Sequence, residues 1–270
     1  TEEIIGHWFA QGGGRRGKGV LATKISNAMG DPLDGPNDIM GLSGYKIRRH
    51  LEGCLNRLGT DHVELLYLHD PAPHAGWDEL WGAFETAFRR GQFDYIGGSN
   101  FAAWQLMKAQ WEADKRHLMG LSALQARYNL VSRLPELELL PVTAELGLGL
   151  MCWGPLHGGM LSGSLLKKLE NGQRSGKYAE RMTPQRLEQL KRFHTLCIDY
   201  GSDEATVSMA WLLSRPQVTA PLIGPRTLEQ LEDSLKALEF KMTPELEEEL
   251  DRLFPAPAAA APLAYRDNIY

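Results

Sequence analysis

Several short apolar segments of this chain end on side chains suited to holding a polar organic ligand. They are Lys24, His69 with Asp70, Ser99 with Asn100, Gln125, Trp153, and Arg226 with Thr227. The set contains a cation, an imidazole, neutral hydrogen-bonding groups and a large flat aromatic. Such groups can grip a polar aromatic ligand and polarise one oxygen. They do not read as a glycosidase, because no carboxylate pair stands out. No His/Cys/Asp/Glu cluster has metal-ligand spacing, and no GxSxG elbow occurs. Taken singly, each residue has a plainer use. Lys24 could be a solvated rim charge, His69 a satisfied structural histidine, and Trp153 a core residue. Ser99-Asn100 could start a turn or cap a helix, and Gln125 could bond a neighbouring strand. Their coincidence at one structural depth separates the two readings.

That depth is set by the elements. Lys24, His69, Ser99, Gln125 and Trp153 follow one another at intervals of 45, 30, 26 and 28 positions. A βαβ unit takes roughly 30 residues. The strand-like runs are GVLATK, HVELLYLHD, FDYIGGSN, LSALQARYNL, LGLMCWGPL and VTAPLIGPR, and amphipathic helices are predicted between them at Tyr45–Leu58, Trp77–Arg90, Trp104–Lys115, Glu138–Leu146, Pro184–Tyr200 and Asp203–Ser214, with a first helix at the N-terminus and a last at Leu228–Ala237. Strands that alternate with helices make a parallel sheet. Six strands fall two short of the eight that close a (β/α)8 TIM barrel. The expectation is therefore an α/β barrel whose first two βα units are absent from this sequence, with residues 1–254 as one barrel domain and 255–270 as an extended tail. A doubly wound open sheet is the alternative, and its Gly-rich phosphate turn is missing.

Composition narrows the classes. The 270 residues are 43% hydrophobic and 23% charged, which excludes a disordered chain. The longest uncharged stretch, Leu146 to Leu166, carries six glycines and a histidine and makes a poor spanning helix. A formal charge of −5 argues against a nucleic-acid surface. Three widely spaced cysteines argue against a disulfide framework. Nothing at the N-terminus reads as an export signal, so a cytoplasmic location is expected. Oligomeric state is not legible.

Two local motifs need weighing. In GPRTLEQ, Gly224, Arg226 and the start of a helix capped by Thr227 form an anion site of the kind that suits a phosphate, although Thr227 and Gln230 also match a capping box. The run GGGRRGK from Gly12 to Lys18 mimics a P-loop but lacks the Ser/Thr and enters a strand instead of leaving one, so it reads as a helix stop and a basic turn.

Together GVLATK, ELLYLHD, YIGGSNF, LQARYNL, CWGPLHGGMLSG and PLIGPRTLEQLEDSL closely resemble the aldo-keto reductases, nearest the branch of bacterial general reductases and potassium-channel β subunits. The resemblance implies a (β/α)8 barrel that reduces aldehydes and ketones with NADPH. It implies Lys24 and His69 as two of four catalytic residues; the aspartate and the proton-donating tyrosine precede the segment that begins TEEIIG. It implies that Ser99, Asn100 and Gln125 hold the nicotinamide carboxamide and that Trp153 stacks on the ring. Gly154, Pro155, Leu156, Gly158 and Gly159 resemble the pyrophosphate loop, and Gly224, Arg226 and Gln230 the 2′-phosphate site, with Asp233 and Ser234 near the adenine. Gly98, where many relatives carry valine, implies looser packing beside the carboxamide site. A cofactor-binding regulatory module and a barrel for another phosphorylated ligand are the alternatives. Specificity is expected from loops Ser26–Ser43, Pro71–Gly76 and 164–183 and from the tail.

Overall fold

The computed structural model describes residues 1–28, 41–71, 75–166 and 182–263. The expected loop over Lys167–Arg181 lies outside these residues, as do parts of the Ser26–Ser43 and Pro71–Gly76 loops and residues 264–270 of the tail. Two compact units, Thr1–Gln125 and Ala126–Tyr270, are described in turn.

The first unit runs α1 (Glu2–Ala10), β1 (Ala22–Ile25), α2 (Gly44–Leu58), β2 (Val63–Leu68), α3 (Trp77–Arg89), β3 (Phe93–Ser99), α4 (Ala103–Asp114) and β4 (Leu121–Arg127), whose last two residues belong to the second unit. Pairing is parallel and sequential, β1 to β2, β2 to β3 and β3 to β4. Helix α2 shows why the alternation forms. Ser43 caps it, accepting from the Lys46 N–H at 3.2 Å, and Gly59 ends it with a left-handed φ of 64°. Ile47, Leu51, Cys54, Leu55 and Leu58 recur at helical spacing and are buried. Beneath β1, the Glu2 carboxylate accepts from the Thr23 hydroxyl and from Arg57 Nε, the latter at 2.7 Å. The basic run after α1 is one 3₁₀ turn, Arg15–Lys18, behind three positive-φ glycines, as a helix stop requires.

The second unit contains α5 (Leu139–Glu145), β5 (Gly149–Trp153), α6 (Pro184–Asp199), α7 (Glu204–Leu213), β6 (Val218–Pro221), α8 (Leu228–Leu235) and α9 (Pro244–Leu253). Strands β5 and β6 are parallel. Two expectations change here. Strand β6 stops at Pro221, with the Leu222 N–H donating to the Cys152 carbonyl at 2.8 Å as its last rung; β5 itself ends one residue later, and among the described residues Ile223 and Gly224 pair with no strand. Helix α9, capped by Thr243, was not expected after the last amphipathic run. It buries Leu246, Leu250 and Leu253, and Asp251 accepts from the buried Arg133 guanidinium. The described part of the tail is tied down where the Ala261 N–H donates to the Leu137 carbonyl at 2.9 Å. Among the described residues, no helix is long and apolar enough to cross a membrane.

Candidate functional site

Strand register decides which side chains share a face. Lys24 lies opposite Tyr67, Tyr67 opposite Gly97, and Gly97 opposite Ala123; one step on, Ser99 lies opposite Gln125. Side chains alternate along a strand. Lys24, Tyr67, Ser99 and Gln125 therefore project from one face, and His69 follows Tyr67 by the same two-residue step.

Contacts confirm the grouping. The Lys24 ammonium donates to Gln125 Oε1 and sits 5.8 Å from the centre of the Tyr67 ring. With its carbonyl on Lys24, Gln125 presents its amide hydrogens as donors. Ser99 is only 1% exposed, and its hydroxyl has no partner among the described residues. A buried hydroxyl left unsatisfied costs free energy unless a ligand completes it. Ser99 and Gln125 thus hold two hydrogen-bonding groups ready for a planar amide, which fits a nicotinamide carboxamide.

His69 is oriented from its other ring nitrogen. Asn27 Nδ2 lies 3.0 Å from His69 Nδ1 and can only donate, so Nε2 carries the hydrogen and is the donor. Burial first, then the Lys24 charge, lowers the imidazole pKa, against the opposite pull of Asp70. Burial also lowers the Lys24 pKa, with Asp70 opposing. The site therefore combines a neutral imidazole donor with a cation weakened by desolvation.

The Asn100 amide has a structural task. Its Nδ2 donates to the His69 carbonyl at 3.1 Å and to Asp70 Oδ1 at 3.2 Å, and its φ of 60° turns the chain sharply off β3. Those bonds fix the backbone that carries His69. Lys46, buried on α2, likewise donates to the Ser26 carbonyl at 2.9 Å and fixes the exit from β1.

Three contributors were missed in sequence. Tyr67 lies flat across Gly97 to pack on Leu65 and Ala123. A Cβ built on Gly97 would come within 2.4 Å of its ring, so only glycine fits. Burial pushes the Tyr67 phenol up to about 12, too weak an acid to supply a proton near neutrality. Asn27 carried no signal beyond being polar and near a strand end, and Lys46 looked like any surface lysine of an amphipathic helix. Gly98 also differs from expectation. A Cβ there would meet the Phe101 ring at 3.1 Å, and the 2%-exposed Phe101 fills the space, on the sheet face opposite Ser99.

In the second unit, Trp153 ends β5 half-buried, with the Arg127 guanidinium 5.4 Å from its ring centre. The turn that follows has positive φ at Gly154, His157, Gly158 and Gly159. The Gly154 carbonyl accepts from Asn129 Nδ2 at 2.8 Å and from the His157 N–H at 2.9 Å. Pro155 is buried, and Leu156 packs on Met209, Ala210 and Ala237, so their side chains are occupied with packing.

At the β6–α8 turn, Thr227 caps the helix by accepting from the Gln230 N–H at 3.2 Å. Gln230 reaches back to the Arg226 N–H at 2.8 Å, one residue beyond the reciprocal bond of a capping box. Gly224, Arg226 and Gln230 are exposed. The Ser234 hydroxyl donates to the Gln230 carbonyl, and Asp233 accepts from Lys236 at 2.6 Å. No group of three or more His, Cys, Asp or Glu among the described residues could hold a metal.

Comparison with known proteins supplies the family of this parallel βα chain, whose strand ends carry a lysine, a histidine, a serine and a glutamine. Residues 1–254 match the Aldo/keto reductase family, and the chain belongs to it; the family fold is a (β/α)8 barrel. The chain is 53% identical over 265 residues to a Bacillus subtilis protein named "Uncharacterized oxidoreductase YrpG", covering 98% of this chain and 81% of that protein. It is 29% identical to a Schizosaccharomyces pombe "Putative voltage-gated potassium channel subunit beta", covering 94% and 76%. It is 27% identical to the "Aldo-keto reductase AMT2" of Alternaria alternata, covering 93% and 74%.

Proposed function

We propose that the chain reduces an aldehyde or ketone to the alcohol with NADPH. The observation that carries this is the shared face of Lys24, His69, Ser99 and Gln125, with the Ser99 hydroxyl buried and unsatisfied. Ser99 and Gln125 would hold the carboxamide, Trp153 would carry the ring, the 154–159 turn would meet the pyrophosphate, and Arg226 would grip the 2′-phosphate. When bound, the dihydronicotinamide supplies the hydride.

The chain's own residues do the rest. His69 donates from Nε2 to the substrate carbonyl oxygen and stabilises the charge that grows there. It can do so at neutral pH because its lowered pKa keeps it neutral with Asn27 fixing the tautomer. Lys24 places a positive charge beside the position of the proton donor and lowers that group's pKa in the manner of the family's phenol acid. Asn100 holds the His69 backbone so that the donor does not wander.

Mixing the protein with NADPH and a panel of reactive aldehydes and ketones should consume the reduced-nicotinamide absorbance. Tight NADPH binding with no turnover across the panel would overturn the reading. That outcome would favour a second one, an NADP(H)-sensing regulatory subunit, which the likeness to proteins named as channel β subunits supports. NADPH-dependent capture of a partner would identify it.

A further inference from the structure

Arg127 closes β4 with a charge that no described carboxylate neutralises. Its Nη2 packs against the His157 imidazole, 3.2 Å from Nε2 and 3.3 Å from Nδ1, and its buried Nε has no partner among the described residues. Nδ1 of that imidazole also faces Asn129 Oδ1 at 3.3 Å and the Ser132 hydroxyl at 3.4 Å. Asn129 Oδ1 can only accept, so Nδ1 carries the hydrogen toward it. Burial, then the charges of Arg127 and Arg186, hold His157 down at about 4, so it stays neutral and adds no charge of its own. Asn129 is itself fixed, its Oδ1 accepting from the Val131 and Ser132 N–H groups at 3.0 and 2.8 Å.

The result is a guanidinium held against a neutral imidazole and an indole, with no described carboxylate to compensate its charge. A protein does not ordinarily half-bury such a cation without a partner. The planar fork is the geometry that matches a carboxylate or phosphate. We propose that Arg127, positioned by His157, binds an oxyanion of the ligand, either an acid group on the carbonyl substrate or the cofactor's pyrophosphate. This rests on the reading above that Trp153, on which Arg127 lies, carries the cofactor ring.

Calorimetric titration of the full chain separates the sources. Benzoate mimics a substrate acid, and inorganic pyrophosphate mimics the cofactor. At least one should bind, and Arg127→Gln should weaken that one at least tenfold, with Arg127→Lys intermediate because it keeps the charge and loses the fork. In kinetics, loss of benzoate binding should be matched by a roughly tenfold fall in the ratio of kcat/KM for 4-carboxybenzaldehyde over benzaldehyde. Loss of pyrophosphate binding should appear instead as a raised Kd for NADPH. Either pattern supports the site and names its occupant. Absence of heat from both ions at millimolar concentration, or equal affinities in wild type and both variants, overturns it. Because the titrations need no turnover, an enzyme inactive on every aldehyde would refute the proposed reaction while leaving this test intact.

Discussion

The Lys24 face of the first unit and the Arg226 turn of the second are opposite kinds of construction. The first is assembled from four strands, and its members depend on one another. Lys24 rests on Tyr67, Tyr67 on the empty side of Gly97, and Gln125 on Lys24. The second is built by residues 224–234, whose hydrogen bonds run to near neighbours in sequence, and nearly all of it is exposed. Interdependent groups are precise but brittle, because moving one moves all. A local turn tolerates change and keeps its geometry even when its surroundings differ. Chemistry at a carbonyl needs the first kind, since a small misplacement is costly. Gripping a phosphate by charge needs only the second.

Substitutions test the contrast. Lys24→Met should lower kcat at least about 100-fold while NADPH affinity changes little, measured by steady-state kinetics beside cofactor titration; an unchanged kcat would remove Lys24 from the chemistry. Arg226→Ala should weaken NADPH by about 1.5–3 kcal/mol and leave NADH nearly unaffected, and equal losses would refute the 2′-phosphate assignment. Gly97→Ala should destabilise the fold by about 1–3 kcal/mol in denaturant unfolding, because the new methyl and the Tyr67 ring claim the same space. If it is neutral, the interlocked face is looser than described. Thr227→Ala should cost about 1 kcal/mol by the same measurement without touching kcat, as expected of a purely local cap.

The pH dependence follows His69. Its pKa lies below that of free imidazole, so the neutral donor persists as pH falls through about 6.5 and is lost only below the lowered value. Proton titration by NMR should place His69 below the ordinary range, and Lys24→Met should raise it, since the second cause of the lowering is then gone.

Much of this was legible without coordinates. Lys24, His69, Ser99, Gln125 and Trp153 stood out because parallel strands repeat at the length of one βαβ unit, and a sequence records that rhythm directly. The Thr227 cap was legible for the same kind of reason: its partner is three residues away. Helix α9 was missed because its acidic face hides Leu246, Leu250 and Leu253 from a casual count, although Thr243-Pro244 marks its start. The length of β6 was misread because apolar residues ran on past the end of the strand it pairs with.

The sequence by itself determined which residue types reach the strand ends, because alternation and helical spacing are properties of the chain. Only the tertiary structure decided what those groups do to one another. Register brought Tyr67 across Gly97, gave Gln125's carbonyl to Lys24, spent Asn100 on the His69 backbone and left Ser99 unsatisfied. Such pairings join residues up to about a hundred positions apart, and no local pattern encodes a distance that only the pairing of strands creates.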